Sequence, residues 1–327
     1  MDKISVKTRV IGVDISPDKT SYAIVDIRGN ILARESFPTF DYPDVTGFVS
    51  KLSESIMMLA ETNGGYEHIR SIGVSAPSAN FLTGCIENAG NMPWKGVVPL
   101  ATMLRDRLGL AVAVANDAHI TAIGEKVFGS AHGMTDFIVI SLGHGGVGSC
   151  IFSNGQPHLG ANGFAGEVGH ICVVENGRQC GCGRKGCLET YTSARGMKMT
   201  AEELLAASNE LSLLRDGGEL TPRRLVECCE QGDAIAIEVM NHAGFMLGQS
   251  LANYASVINP EALILTGELI ECGKWLTDPM IKAFEESVFQ NIRDRVKLLI
   301  SILDNNERDV LGASALAWDV KEYSLFK

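Results

Sequence analysis

The chain has 327 residues, 46% of them hydrophobic, with 28 Lys and Arg against 39 Asp and Glu and a net charge of −11. That length fits two domains on a prior of about 100–200 residues each, with enough apolar material for a core in both. The acidic balance argues against a nucleic-acid partner. No apolar run approaches the ~18 residues of a membrane span, and the first residues lack a signal-peptide core, so no membrane partner and a cytoplasmic location are expected.

Residues 9–36, RVIGVDISPDKTSYAIVDIRGNILARES, read as strand, turn, strand, Gly-Asn turn and strand, from short β-branched runs between turn residues. Asp14 ends the first strand. There it either caps the turn or holds Mg²⁺ near nucleotide phosphates. Helical spacing follows in VTGFVSKLSESIMMLAET, then a strand in SIGVSAP, a helix in VVPLATMLRDRLG stopped by Gly109, and a strand in AVAVAND. Asn116 and Asp117 close that strand and precede a helix, HITAIGEKVFG. Asp117 is either the helix cap or a general base toward a hydroxyl, with Asn116 hydrogen-bonding the same substrate.

The pattern then restarts. DFIVISLGHGGVGSCIFSNGQPHLG again reads strand, Gly-rich turn, strand, Asn-Gly turn, strand. Gly143, Gly145, Gly146 and Gly148 let backbone N–H groups approach a phosphate, or simply make a hairpin turn. The Lys-Ser/Thr ending of a P-loop is missing. Later helices (MTAEELLAAS, TPRRLVECCEQG, DAIAIEVMNHAGFMLGQSLANYAS), two strands and a closing helix complete an α/β chain with mostly parallel central strands. The repeated opening predicts two related lobes. We place their boundary just after Asp117, giving lobes of residues 1–117 and 118–309, with a helix at about 310–327 returning to the first.

The densest chemistry lies in GHICVVENGRQCGCGRKGC. His170, Cys180, Cys182 and Cys187 are four zinc-type ligands within eighteen residues. A catalytic zinc keeps an open position, so four protein ligands predict a closed structural site. Glu167 and Glu189 flank it among Gly, Ala, Val and Leu, which predicts partly buried carboxylates with partners such as sugar hydroxyls. The other six cysteines, Cys85, Cys150, Cys172, Cys228, Cys229 and Cys272, read as small buried hydrophobes in a reducing compartment.

These residues, in this order, resemble the ROK family of bacterial sugar kinases and sugar-responsive repressors, and its glucokinase-like members most. IGVD, SAP at 75–77, NMPW at 91–94, AND at 115–117, GEVGH at 166–170, CGCGRKGCLE at 180–189 and GASALA at 312–317 carry the resemblance over nearly the whole chain. It implies an actin-like, ribonuclease-H-like two-lobe ATPase fold. It implies phosphorylation of a hexose hydroxyl, glucose foremost, by ATP with Mg²⁺, beside a structural Zn²⁺. Similar proteins are often homodimers. Asp117 matches the catalytic base, and Asn91, Asn116, Glu167, His170 and Glu189 match sugar contacts. Asp14 matches the first phosphate-motif carboxylate, and Gly143, Gly145, Gly146 and Gly267 belong with the nucleotide.

The nucleotide side departs from that pattern. Asp-x-Gly-Gly-Thr is replaced by Asp14-Ile15-Ser16-Pro17-Asp18, Leu-Gly-Thr-Gly by Leu142-Gly143-His144-Gly145-Gly146, and Gly-Gly by Gly267-Glu268; His119 stands where Asn is usual. The alternative to a kinase is therefore a non-enzymatic sugar-binding sensor with a degenerate nucleotide site.

Overall fold

The computed structural model describes residues 7–143, 146–305 and 307–320. The chain opens with the antiparallel strands β1 (Arg9–Ile15), β2 (Lys19–Asp26) and β3 (Ile31–Pro38), followed by helix α1 (Val45–Thr62) and strand β4 (Ile69–Ser75). Three short strands, β5 (Ala79–Asn80), β6 (Cys85–Glu87) and β7 (Val97–Val98), form a small sheet of their own. Helix α2 (Leu100–Leu108), strand β8 (Ala111–Ala115) and helix α3 (Asp117–Phe128) come next. The second opening is β9 (Phe137–Leu142), β10 (Val147–Ser153) and β11 (Gln156–Pro157). Helices α4 (Glu189–Thr192), α5 (Ala194–Ala207), α6 (Pro222–Glu230) and α7 (Ala234–Ile258) lead to β12 (Ala262–Thr266), α8 (Lys274–Ser287), β13 (Lys297–Ile300) and α9 (Arg308–Asp319).

The chain divides into two compact units. The first holds residues 1–132, 159–164 and 302–327, and the second residues 133–158 and 165–301. The first unit therefore runs past Asp117 and takes in α3, where the sequence reading ended it. Its sheet runs β3-β2-β1-β4-β8, and the second unit's sheet runs β11-β10-β9-β12-β13. Both have the same plan: a meander whose first strand pairs in parallel with the fourth. The duplicated strand–turn–strand opening seen in the sequence is thus a duplicated sheet.

Each unit has its own core. Ile11, Val13, Ile24, Phe48, Leu52, Ile56, Ile72 and Leu104 fill the first, between α1, α2 and one face of the central strands, while Val10, Ala23 and Val25 on the other face pack on α9. Leu142, Val239, Leu247, Leu251, Leu263 and Phe284 fill the second, against α7. Strands buried on both faces read as continuous apolar runs, as VIGV and ALIL do. Local chemistry sets the helix ends. Asp44 accepts from the Gly47 N–H at 2.7 Å to start α1, Thr221 caps α6 ahead of Pro222, Asp233 caps α7, and Gly109 closes α2 in the left-handed region.

The duplication stops at α9, which returns to the first unit. It packs so closely on β1, β4 and α3 that a Cβ on Gly12 would meet Val310 O, and one on Gly73 would meet Ala313 O. The β5–β7 sheet and the one-turn α4 are absent from the sequence reading, since segments of two to four residues are too short to show a period. Among the described residues, no helix is long and apolar enough to cross a membrane.

Candidate functional site

In the first unit, three carboxylates converge from distant parts of the chain. Asp14 sits near the end of β1, opposite Ser75 of β4 in the parallel pairing. Asp117 is the first residue of α3, and Asp309 lies in the first turn of α9. Burial, then Asp309, pushes the Asp14 carboxyl up from 3.8 to about 7; Asp117 adds to the rise, while Ser75 and Lys19 pull back. Asp117 is pushed up by the protein packed around it and by Asp309, against the Ala118 N–H and Arg308. Its residue surface is nonetheless exposed, so solvent screens part of that push.

The helix cap is Asn116, whose Oδ1 accepts from the His119 N–H at 2.8 Å, and Asp117 Oδ1 accepts from the Ala118 N–H at 2.8 Å. Asn116 thus keeps its amide nitrogen for another partner. Asp309 is tied to α3 and to its own neighbour: Thr121 Oγ1 donates to it at 3.5 Å and Arg308 Nε at 3.2 Å. Sequence reasoning missed Asp309 and Ser75. Their signal was faint: an acid at the start of the GASALA helix and a hydroxyl at the end of a strand. His119 is buried in α3, its pKa lowered by burial, with no hydrogen-bond partner at Nδ1. Asn91 stands apart, exposed on a loop that Met92 and Trp94 anchor in the core; Trp94 Nε1 donates to Tyr42 O at 3.3 Å.

The β1–β2 turn explains the altered first motif. Ser16 N and Ser16 Oγ both donate to Lys19 O, at 3.0 and 2.9 Å, and Lys19 N donates back to Ser16 Oγ at 3.3 Å. Pro17 has no N–H. The turn therefore uses its own donors internally, leaving at most the Asp18 amide for a phosphate.

In the second unit, His170, Cys180, Cys182 and Cys187 place their ligand atoms within 4.8 Å of one another. Cys180 Sγ lies 3.6 Å from His170 Nδ1, and Cys182 Sγ lies 3.7 Å from Cys187 Sγ. Tetrahedral zinc with bonds of about 2.0–2.3 Å has ligand–ligand edges of roughly 3.3–3.8 Å, so the set fits the ion. His170 Nδ1 faces the sulfurs, leaving Nε2 as its other polar atom. The Arg184 N–H holds the Cys182 thiol down, whereas burial pushes Cys180 and Cys187 up. A bound cation would supply the charge that keeps buried thiols ionised.

Glu189 opens α4 directly beside this cluster. Its Oε1 is 3.5 Å from Cys180 Sγ and 3.9 Å from His170 Nδ1, and its Oε2 accepts from Val147 N at 3.4 Å. Gly146 sits at φ +155, and a Cβ there would displace the Glu189 carboxylate. Gly143 N donates to Gly146 O at 3.1 Å and closes the β9–β10 turn, while Gly267 packs against the Leu142 backbone at the end of β9. Gly145 and His144 lie outside the described residues. Glu167 is exposed, not partly buried as its apolar neighbours had suggested. It precedes a single 3-10 turn (Val168–His170) that Tyr254 OH secures by donating to Val168 O at 3.0 Å.

Arg178 was also missed. Its side chain is 9% exposed. It donates to Thr190 O at 2.7 Å, Gly196 O at 3.0 Å, Thr200 Oγ1 at 2.9 Å and the Glu203 carboxylate at 2.6 and 2.9 Å, and it lies 4.6 Å from the Tyr191 ring centroid. This one side chain ties the cysteine loop to α4 and α5, and so to Glu189. Of the other cysteines, Cys150, Cys228, Cys229 and Cys272 are buried as expected, Cys85 is half-buried and Cys172 is exposed.

A glucokinase of Halalkalibacterium halodurans is 32% identical over 318 residues, covering 95% of this chain and 94% of that protein. The xylose repressor of Bacillus subtilis is 25% identical, covering 94% of this chain and 77% of the repressor. Among solved structures, a ROK family glucokinase from Streptomyces griseus in complex with glucose and AMPPNP superposes with a TM-score of 0.76 at 30% identity, over 95% of this chain and 100% of that one. The fold is the actin-like one of these sugar kinases, with paired mixed sheets and helices. The ROK family profile matches residues 10–320, and the chain belongs to the ROK family.

Proposed function

We propose that the protein phosphorylates a hexose hydroxyl with ATP, glucose to glucose 6-phosphate foremost, with Asp117 as general base. Asp117 carries the reading: a carboxylate fixed at the start of a helix, its pKa raised by burial and by Asp309, which makes it a better proton acceptor than a free carboxylate. In the reaction Asp117 accepts the hydroxyl proton, the freed oxygen attacks the γ-phosphorus, and ADP leaves with the bridging oxygen. Asn91, Asn116, Glu167, His170 and Glu189 hold the sugar hydroxyls. Asp14 is the residue that would hold magnesium, and the carboxylates that raise its pKa suit a divalent cation. Bound with ATP, that ion would neutralise charge on the phosphoryl oxygens. Gly143, Gly145, Gly146 and Gly267 would belong to the nucleotide site. His170, Cys180, Cys182 and Cys187 would hold a structural zinc ion that fixes His170 and Glu189.

A coupled ADP-release assay over a hexose panel, run beside Asp117→Asn, tests the proposal. Sugar-dependent ADP release that the variant loses supports it, and no sugar-dependent release from zinc-replete protein overturns it.

The β1–β2 turn favours a second reading, since its donors are spent internally and Pro17 supplies none. Here the chain would sense a sugar without using ATP, in keeping with its likeness to a xylose repressor. Calorimetry separates the two: sugar binding with no Mg-ATP binding supports the sensor, and Mg-ATP binding rejects it.

A further inference from the structure

Cys172 stands beside the four metal-type ligands without being one of them. It is cross-strand partner to Cys187 in an isolated antiparallel bridge. The flanking backbone bonds run from Leu188 N to Ile171 O at 3.0 Å and from Val173 N to Gly186 O at 2.8 Å. Bonds in those positions make Cys172 and Cys187 the non-hydrogen-bonded kind of pair, whose Cα atoms lie about 4.5 Å apart with both side chains on one face. That separation is within the ~4.4–6.8 Å span of a disulfide. The Cys172 sulfur also lies over the ligand's neighbour, since a Cβ on Gly186 would sit 3.2 Å from it. Cys172 is exposed and Cys187 buried; Cys172 Sγ donates weakly to Val174 O at 3.5 Å, a contact that a side-chain rotation breaks.

We propose that Cys172 is a redox-modification site that ejects zinc from the knuckle by forming a disulfide with Cys187. The inference rests on the zinc reading of that cluster. Hydrogen peroxide, or another hydroperoxide, meets the exposed thiol first. The Cys172 sulfur takes one peroxide oxygen as the O–O bond breaks, giving a sulfenic acid and water. The metal-bound Cys187 thiolate then attacks that sulfur. The S–S bond forms, the S–O bond breaks and hydroxide leaves. The two sulfurs lose two electrons to the peroxide. Zinc keeps only His170, Cys180 and Cys182 and is released to a chelator. Glu189 follows Cys187 by two residues, so the hexose contact proposed for it loosens in the same event.

The test uses the zinc-loaded full chain, hydrogen peroxide, a chromogenic zinc chelator and disulfide mapping by mass spectrometry. Trypsin cuts after Arg178, Arg184 and Lys185, which puts Cys172, the Cys180 and Cys182 pair, and Cys187 on three peptides. The expected result is zinc release with a Cys172–Cys187 cross-link, reversed by dithiothreitol and added zinc. Cys172→Ser should release zinc at least ~10-fold more slowly and form no such link. A purified chain without stoichiometric zinc overturns the zinc reading and this inference together. Stoichiometric zinc with links only among Cys180, Cys182 and Cys187, or with Cys172→Ser releasing zinc at the wild-type rate, overturns this inference alone.

Discussion

The cysteine knuckle of the second unit and the carboxylate group of the first are built in opposite ways. The knuckle takes its four ligand residues from an eighteen-residue stretch, and its brace, Arg178, comes from inside the same stretch. The carboxylate group draws Asp14, Asp117 and Asp309 from segments far apart in the chain: the β1-β4-β8 sheet brings Asp14 and Asp117 together, and the seating of α9 on β1, β4 and α3 adds Asp309. The difference is also electrostatic. Four soft ligands would be stabilised by one ion that neutralises them, whereas three like charges strain each other until a proton or a cation arrives. Local spacing builds the set of metal-type ligands; long-range packing builds the carboxylate group.

The largest way to break this contrast is on the carboxylate side. Asp117→Asn should lower kcat by ~10²–10⁴-fold while leaving hexose KM within a few-fold, because it removes proton acceptance and little binding. Steady-state ADP release reads both constants, and a variant with near-wild-type kcat would reject Asp117 as the base.

On the knuckle side, Cys182→Ser should lower Tm by about 5–10 °C and weaken hexose binding by ~10–100-fold in the same variant. Differential scanning fluorimetry and calorimetry check the pair. Unchanged sugar affinity would show that the metal site does not position Glu189. Arg178→Met should cost about 2 kcal/mol, since it strips donors from Thr190 O and Gly196 O. That loss is roughly 4–8 °C in Tm, and a variant as stable as wild type would remove Arg178 as the brace.

Asp14 gives a pH signature. Its folded pKa of about 7 lies above the ordinary 3.8. A raised acid pKa contributes stability that is full below pH 4 and is lost as pH rises through 7. Wild-type stability should therefore fall across pH 4–7 by up to about 1.4 kcal/mol per unit. Asp14→Asn should flatten that slope, raising Tm relative to wild type at pH 8 and changing it least at pH 4. Denaturation at a series of pH values measures this, and parallel curves for the two proteins would exclude the effect.

The smallest effect concerns the β9–β10 turn. A Cβ on Gly143 meets nothing within 4 Å, so Gly143→Ala should hold Tm within about 1 °C. If the turn serves ATP, the same variant raises the KM for ATP with kcat little changed. An unaltered KM would assign the turn a purely structural role.

Much of the fold was legible because its signals are local. The α1 segment carries helical spacing and an Asp44 cap, α2 ends at Gly109, and the strand–turn–strand opening recurs in both halves. The knuckle was legible for the same reason. The lobe boundary was not. AVAVAND and the helix after it look the same whichever unit they join, and the packing of α3 against α9 decides the matter. Glu167 also misled: its neighbours in sequence are apolar, but the 3-10 turn after it buries Val168 and Gly169 and leaves the carboxylate outward.

By itself, the sequence determined the elements, the duplicated plan and the set of metal-type ligands, because each follows from spacing within a few turns of chain. Tertiary structure alone decided that Asp309 and Ser75 meet Asp14 and that the β1–β2 turn spends its own donors. It also alone paired Cys172 with Cys187. Those facts depend on burial and register between segments distant in the chain or on either side of a turn, and a string of residue types carries neither distance nor desolvation.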